Sequence, residues 1–143
     1  RLIPDPPGGI VNGETDLTTL LASMSPALQE GEYVFCSFEG SRYGDHSEFQ
    51  PLAAYQEKEG LTLVIPRARA DEHHLDYSCT FRVISLGVHS SLAAVGLTAA
   101  FATRLAEQEI SANVFAGYFH DHVFVEAADA ERAMRALQSI AVK

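Results

Sequence analysis

Apolar positions change their spacing repeatedly along this chain, and each change marks an element. Leu17, Leu20, Leu21 and Met24 fall on one helical face behind Thr15, a helix-capping residue, and Ser25-Pro26 limits how far that helix runs. Tyr33-Val-Phe-Cys-Ser-Phe38 is an aromatic and β-branched run, which predicts a strand, and 40–50 is a polar loop rich in turn formers. Glu57-Lys-Glu-Gly60 followed by Leu61-Thr-Leu-Val-Ile65 predicts a hairpin with a glycine-containing loop, in preference to a short helix opened by Pro51 and running to Tyr55. Pro66 ends the strand, and 68–75 reads as a short helix.

The second half repeats this grammar. Thr80 to Leu86 predicts a strand with apolar residues on both faces, so both faces are expected to be covered. Ser90 is placed to cap a helix lasting to about Glu109, with Leu97, Phe101 and Leu105 as its large-residue stripe and small Ala and Gly residues beside them. The segments 113–119 and 122–125 predict a second hairpin across a tight His120-Asp121 turn. Asp129 is placed to cap a last helix whose Ala130, Ala133, Met134, Leu137 and Ile140 share one face. Both halves end in strand, strand, helix, each behind a longer helix. This repetition predicts an α+β fold of two small units on antiparallel sheet, with helices gathered on one face.

Composition narrows the setting. At 143 residues, 47% hydrophobic and 20% charged, the chain has material for one ordinary domain or two very small units. Ten Lys and Arg against 19 Asp and Glu give a net charge of −9, which argues against nucleic acid or an anionic membrane surface as the main partner. No apolar run approaches the roughly 20 residues of a membrane span, and Arg1-Leu-Ile-Pro-Asp-Pro-Pro7 has no signal-peptide core, so a cytoplasmic location is expected. Residues 1–13 carry three Pro and three Gly and read as a mobile leader. Cys36 and Cys79 lack CxxC spacing and are expected as buried free thiols; no cofactor or metal is expected.

Candidate chemistry concentrates between Phe81 and Val125. A strand ending in Gly87-Val-His-Ser-Ser and entering a helix offers N–H groups on which a carboxylate can dock. Each residue there has two readings. Gly87 either permits a turn with positive φ or lets backbone N–H groups approach a ligand. Ser90 and Ser91 either cap the helix, or one caps while the other bonds the ligand. His89 either bonds a carboxylate or covers the helix start. Asn113, unfavourable in a strand, either contacts a ligand through its amide or bonds within a bulge or turn. No Gly-x-Ser-x-Gly elbow is present to activate a serine. His120 and His122 have a spacing that chelates Zn from a continuous strand, but a turn at Asp121 spoils the shared face. His73 and His74 diverge by about 100° on a helix and read as a solvated end.

Gly87-Val-His-Ser-Ser-Leu-Ala-Ala-Val-Gly96, Phe101, Leu105 and Ile110-Ser-Ala-Asn113-Val resemble the ACT domain, the βαββαβ regulatory module of amino-acid metabolism. With Ser23-Met-Ser-Pro26, Glu32-Tyr-Val-Phe35 and Gly60-Leu-Thr-Leu-Val64, the whole chain resembles small stand-alone bacterial proteins with two tandem ACT-like units. The resemblance implies two ferredoxin-like units, 14–77 and 78–143, acting without catalysis as a sensor of a small molecule, typically an amino acid. It implies a site where the loop after the first strand meets the start of the second, often across an interface between units. Carried over, that site is Gly87, Val88, His89, Ser90, Ser91 and Asn113, in a homodimer. The chain departs from the pattern in lacking an opening strand before the Thr15 helix and a closing strand before Lys143, so a strand is shared between units or supplied by a partner chain. Two rival functions are a metal-dependent hydrolase using His120, Asp121 and His122 with Glu48 or Glu126, and a structural module docking another chain by its smooth helix or a sheet edge.

Overall fold

In chain order, the described residues of this computed structural model, 17–88 and 95–141, begin with helix α1 (Leu17–Ala22), strand β1 (Pro26–Leu28) and strand β2 (Tyr33–Phe38). A 3-10 turn (Ser47–Phe49) leads to the hairpin of β3 (Ala53–Gln56) and β4 (Leu61–Pro66), then helix α2 (Arg67–Glu72) and strand β5 (Phe81–Leu86). Helix α3 (Leu97–Glu107), strands β6 (Asn113–Ala116) and β7 (Asp121–Glu126), a 3-10 turn (Ala127–Asp129) and helix α4 (Ala130–Ala141) complete it. The hairpin expected around Gly60 is present and the alternative helix at 51–55 is not. No helix among the described residues is long and apolar enough to cross a membrane.

Packing divides the chain into two units that interleave in sequence. One combines the described residues up to Gln29 with those from Val83 onward; the other is Glu30–Arg82. The later unit has strand order β1-β5-β7-β6, which is the ferredoxin order with β1 as the closing strand. Pro26 faces Leu86 and Leu28 faces Ile84 in antiparallel register. The missing closing strand is therefore supplied by residues ahead of β2. It escapes notice in the sequence because it is three residues long and opens with proline, which is tolerated at the first position of a strand.

The core of this unit joins Ile84 and Leu86 of β5 to Phe101 and Leu105 of α3, Val123 and Val125 of β7, Ala133 and Leu137 of α4, and Met24. All of these are fully buried, and each large side chain contributes roughly 1.5–3 kcal/mol by leaving water. Helix α3 starts at Leu97, not directly after Ser90 as expected, because Gly96 takes a left-handed φ of 98° and precedes the helix as its N-cap. A Cβ at Gly96 would lie 3.1 Å from Leu17 Cδ2, the movable end of a side chain, so it is chiefly the conformation that calls for glycine. Ser90 itself, and the Thr15 cap expected for α1, lie outside the described residues.

The Glu30–Arg82 unit has the same order built from β3, β4, β2 and the start of β5, where Tyr33 pairs with Phe81. Phe81 and Arg82 of β5 fall in this unit, and β5 from Val83 onward falls in the later one. Val34, Cys36, Phe49, Leu61, Leu63, Ile65 and Ala70 form its core. Cys36 and Cys79 are both free thiols; Cys36 is buried as expected, whereas Cys79 is only partly so.

Candidate functional site

The loop after β5 is held by the segment between α1 and β1. Gly87 donates its N–H to the carbonyl oxygens of Met24 at 2.9 Å and Ser25 at 3.1 Å. Its φ is not in the left-handed region; glycine is favoured by space, because a Cβ would stand a tight 3.2 Å from both Ser25 Cβ and the Ser25 carbonyl oxygen. This N–H is therefore engaged within the protein and does not face a ligand carboxylate. Val88 is 8% exposed and belongs to the core. His89, Ser90 and Ser91 lie outside the described residues.

Asn113 opens β6 opposite Phe124, is exposed, and its Nδ2 makes only a long 3.5 Å bond to the Phe124 carbonyl. Strand β7 lies between β5 and β6, so Gly87 and Asn113 are separated by two strand spacings, roughly 9.5 Å. Within one copy of the unit, a single carboxylate or amino group does not reach both.

The His-Asp-His segment is arranged differently from its expected turn. Ala116 pairs with Asp121, and Gly117 donates to the His120 carbonyl at 2.9 Å, so the turn spans 117–120 and Asp121 begins β7. Asp121 is 4% exposed and, by strand alternation, points to the same face as Val123 and Val125, under the helices. His122 points to the other face with Phe124, Phe115 and Asn113, and its Nδ1 is 2.8 Å from Ser85 Oγ. The three residues do not converge, and among the described residues no group of three or more His, Cys, Asp or Glu is placed to hold a metal. Ser85, the partner of His122, was not singled out from sequence; its signal was a serine set between the apolar Ile84 and Leu86.

The corresponding loop of the Glu30–Arg82 unit, after β2, bonds to itself and to its own sheet. Ser41 Oγ meets His46 Nε2 at 2.8 Å, Arg42 N–H donates to Asp45 Oδ2 at 2.8 Å, and Tyr43 N–H donates to Gln56 Oε1 at 2.8 Å. The His46 ring stacks on Phe38 and Phe49, with ring centroids 4.3 and 5.5 Å away. His73 and His74 are both exposed, as expected of a solvated end; His73 also sets its ring edge-on to Phe49 at 4.8 Å, and His74 has φ 55°.

Two ACT domain models match the chain, one over residues 12–82 and one over 77–139. The chain belongs to the ACT domain family. As a tandem ACT protein it falls among small-molecule-binding regulatory modules. The crystal structure of VC0802 from Vibrio cholerae, a protein of unknown function described as a possible transport protein, is 51% identical with a TM-score of 0.80 over 87% of this chain and 95% of that one. Atu0741 from Agrobacterium tumefaciens shares the fold at 13% identity and TM-score 0.66, over 81% of this chain and 87% of that one. Aspartokinase III from E. coli shares it at 10% identity and TM-score 0.62, over 85% of this chain and 34% of that one. No curated protein matches significantly. The ACT models divide the chain in sequence order, while packing exchanges α1 and β1 into the later unit.

Proposed function

We propose that this ACT protein is a non-catalytic sensor of an amino acid, with its ligand at the loop after β5. The observation that carries the reading is that the later ACT unit has a complete ferredoxin-order sheet whose β5 ends in that loop. Gly87 and Val88 shape the loop, one by close approach to Ser25 and one from the core. The ligand's polar contacts then fall to His89, Ser90, Ser91 and Asn113. The weakly engaged amide of Asn113 and its position on the outermost strand favour a homodimer in which a second copy brings Asn113 toward the loop. The likeness in fold to aspartokinase III, whose structure holds aspartate and ADP, supports starting the search among amino acids.

A ligand acting this way shifts the protein between arrangements only through its difference in affinity for them. The test is calorimetry and thermal unfolding with each of the twenty common amino acids at millimolar concentration, with sedimentation of the same samples. One or a few amino acids are expected to bind and raise Tm, by an amount corresponding to about 2.7 kcal/mol at a hundredfold excess over Kd. Asn113→Ala is expected to abolish that rise without lowering the Tm of the free protein. Absence of heat and of any Tm change across the set would refute the reading.

A further inference from the structure

Although the chain carries a net charge of −9, three of its 10 Lys and Arg residues line a single groove. Arg104 and Gln108, on and just past α3, meet Arg132, Arg135 and Ala136 of α4 around a space of about 200 Å³. Two of the guanidinium groups are held in place. Arg104 donates through Nε to Ser139 Oγ at 3.0 Å and through Nη1 to Glu107 Oε1 at 3.2 Å. Arg132 donates through Nη1 to the Gln108 carbonyl and through Nη2 to Asp129 Oδ1, both at 3.0 Å. A guanidinium has five N–H donors, so each keeps about three for another acceptor. Arg135 lies one helical turn from Arg132 on the same face, and among the described residues it makes no ion pair. Among the described residues, Glu107 and Asp129 thus each pair with one of the three guanidinium groups, and none pairs with the third.

We propose that this groove binds the phosphoryl group of a small phosphomonoester. Guanidinium forks match phosphate oxygens in pairs, and several held near each other favour a dianion. A monocarboxylate gains less, because Glu107 and Asp129 already compete for two of the forks. The groove is smaller than the roughly 300–1,000 Å³ of sites for larger ligands, and among the described residues no aromatic ring lines it for a base to stack on. A phosphorylated sugar or hydroxy acid fits this description better than a nucleotide. The site uses the helices, not the loop after β5, and stands whether or not that loop binds an amino acid.

The experiment titrates the full chain with inorganic phosphate, glycerol 3-phosphate, glycerol and acetate at constant ionic strength, by calorimetry and amide NMR shifts. Saturable binding of phosphate and tighter binding of glycerol 3-phosphate are expected, with neither glycerol nor acetate saturating. Arg135→Ala should weaken binding by about tenfold or more at unchanged Tm without ligand. Arg42→Ala, in the other unit, should bind as the parent does. The proposal is overturned if the phosphates do not saturate, if acetate binds as well as phosphate, or if Arg135→Ala and Arg132→Ala both bind like the folded parent.

Discussion

The two ACT units place their strands in the same order and cover them differently. Behind β5 stands an 11-residue helix, α3, presenting Leu97, Phe101 and Leu105 to the core. Behind β2, at the corresponding place, stands a three-residue 3-10 turn whose one buried side chain is Phe49. Stacked rings of Phe38, His46 and Phe49, with His73 at the edge, fill in where aliphatic side chains of a helix pack in the other unit. The difference bears on function as well as packing. The loop after β2 bonds several of its polar groups to one another and to Gln56 of its own sheet. A loop so engaged has fewer groups to offer a ligand, and we expect one amino-acid site per chain, in the unit with the helix.

The comparison predicts unequal dependence on the two aromatic anchors. Phe101 is fully buried, and Phe101→Ala is expected to cost about 3–5 kcal/mol. Phe49 is 8% exposed at the edge of a smaller core, and Phe49→Ala is expected to cost about 2 kcal/mol. Urea unfolding followed by far-ultraviolet circular dichroism measures both. Equal losses would mean that the ring stack supports its sheet as firmly as the helix does.

Glycines sharpen the same contrast at a smaller scale. Gly60, between β3 and β4, has φ 154°, and a Cβ would meet the Phe38 carbonyl oxygen at 2.7 Å, where backbone cannot move away. Gly60→Ala is expected to cost about 2–3 kcal/mol. At Gly96 the obstacle is the end of the Leu17 side chain at 3.1 Å, which can rotate, leaving chiefly the left-handed φ of 98°. Gly96→Ala is expected to cost about 1–2 kcal/mol. The reverse order in the same unfolding experiment would show that the Gly96 segment, not the Gly60 turn, is the less forgiving.

Elements with a strong period or a β-branched run were legible from sequence. β2, β4, β5 and α4 fall within a residue or two of their expected bounds because burial on the expected face sets them. Short elements were not: β1 has no alternation to read over three residues, and its partner lies more than fifty residues away at Ile84 to Leu86. The start of α3 was misread because an alanine-rich run carries no sign that Gly96 turns left-handed. Gly87 was read as a turn or ligand glycine, whereas its surroundings favour glycine through close approach to Ser25, which leaves no mark in local sequence. The three arginines were invisible as a group because α3 and α4 bring together positions about thirty residues apart.

The smallest effect concerns Cys36, which lies in the core of the ring-stacked unit. Burial first, and then the nearby Asp76 charge, push its thiol pKa up. The folded state therefore keeps this proton to higher pH than the unfolded chain, whose thiol titrates near 8.5. Below that pH the contribution is fully present; as pH rises through the folded value the unfolded chain binds fewer protons, and stability falls. Cys36→Ala is expected to flatten the decline between pH 8 and 10, by less than about 1 kcal/mol. Cys79, in the same Glu30–Arg82 unit and only partly buried, should react with iodoacetamide well before Cys36 does in the parent protein. Equal alkylation rates under native conditions would mean that this core opens as readily as its surface, and that a ring stack covers a sheet without closing it.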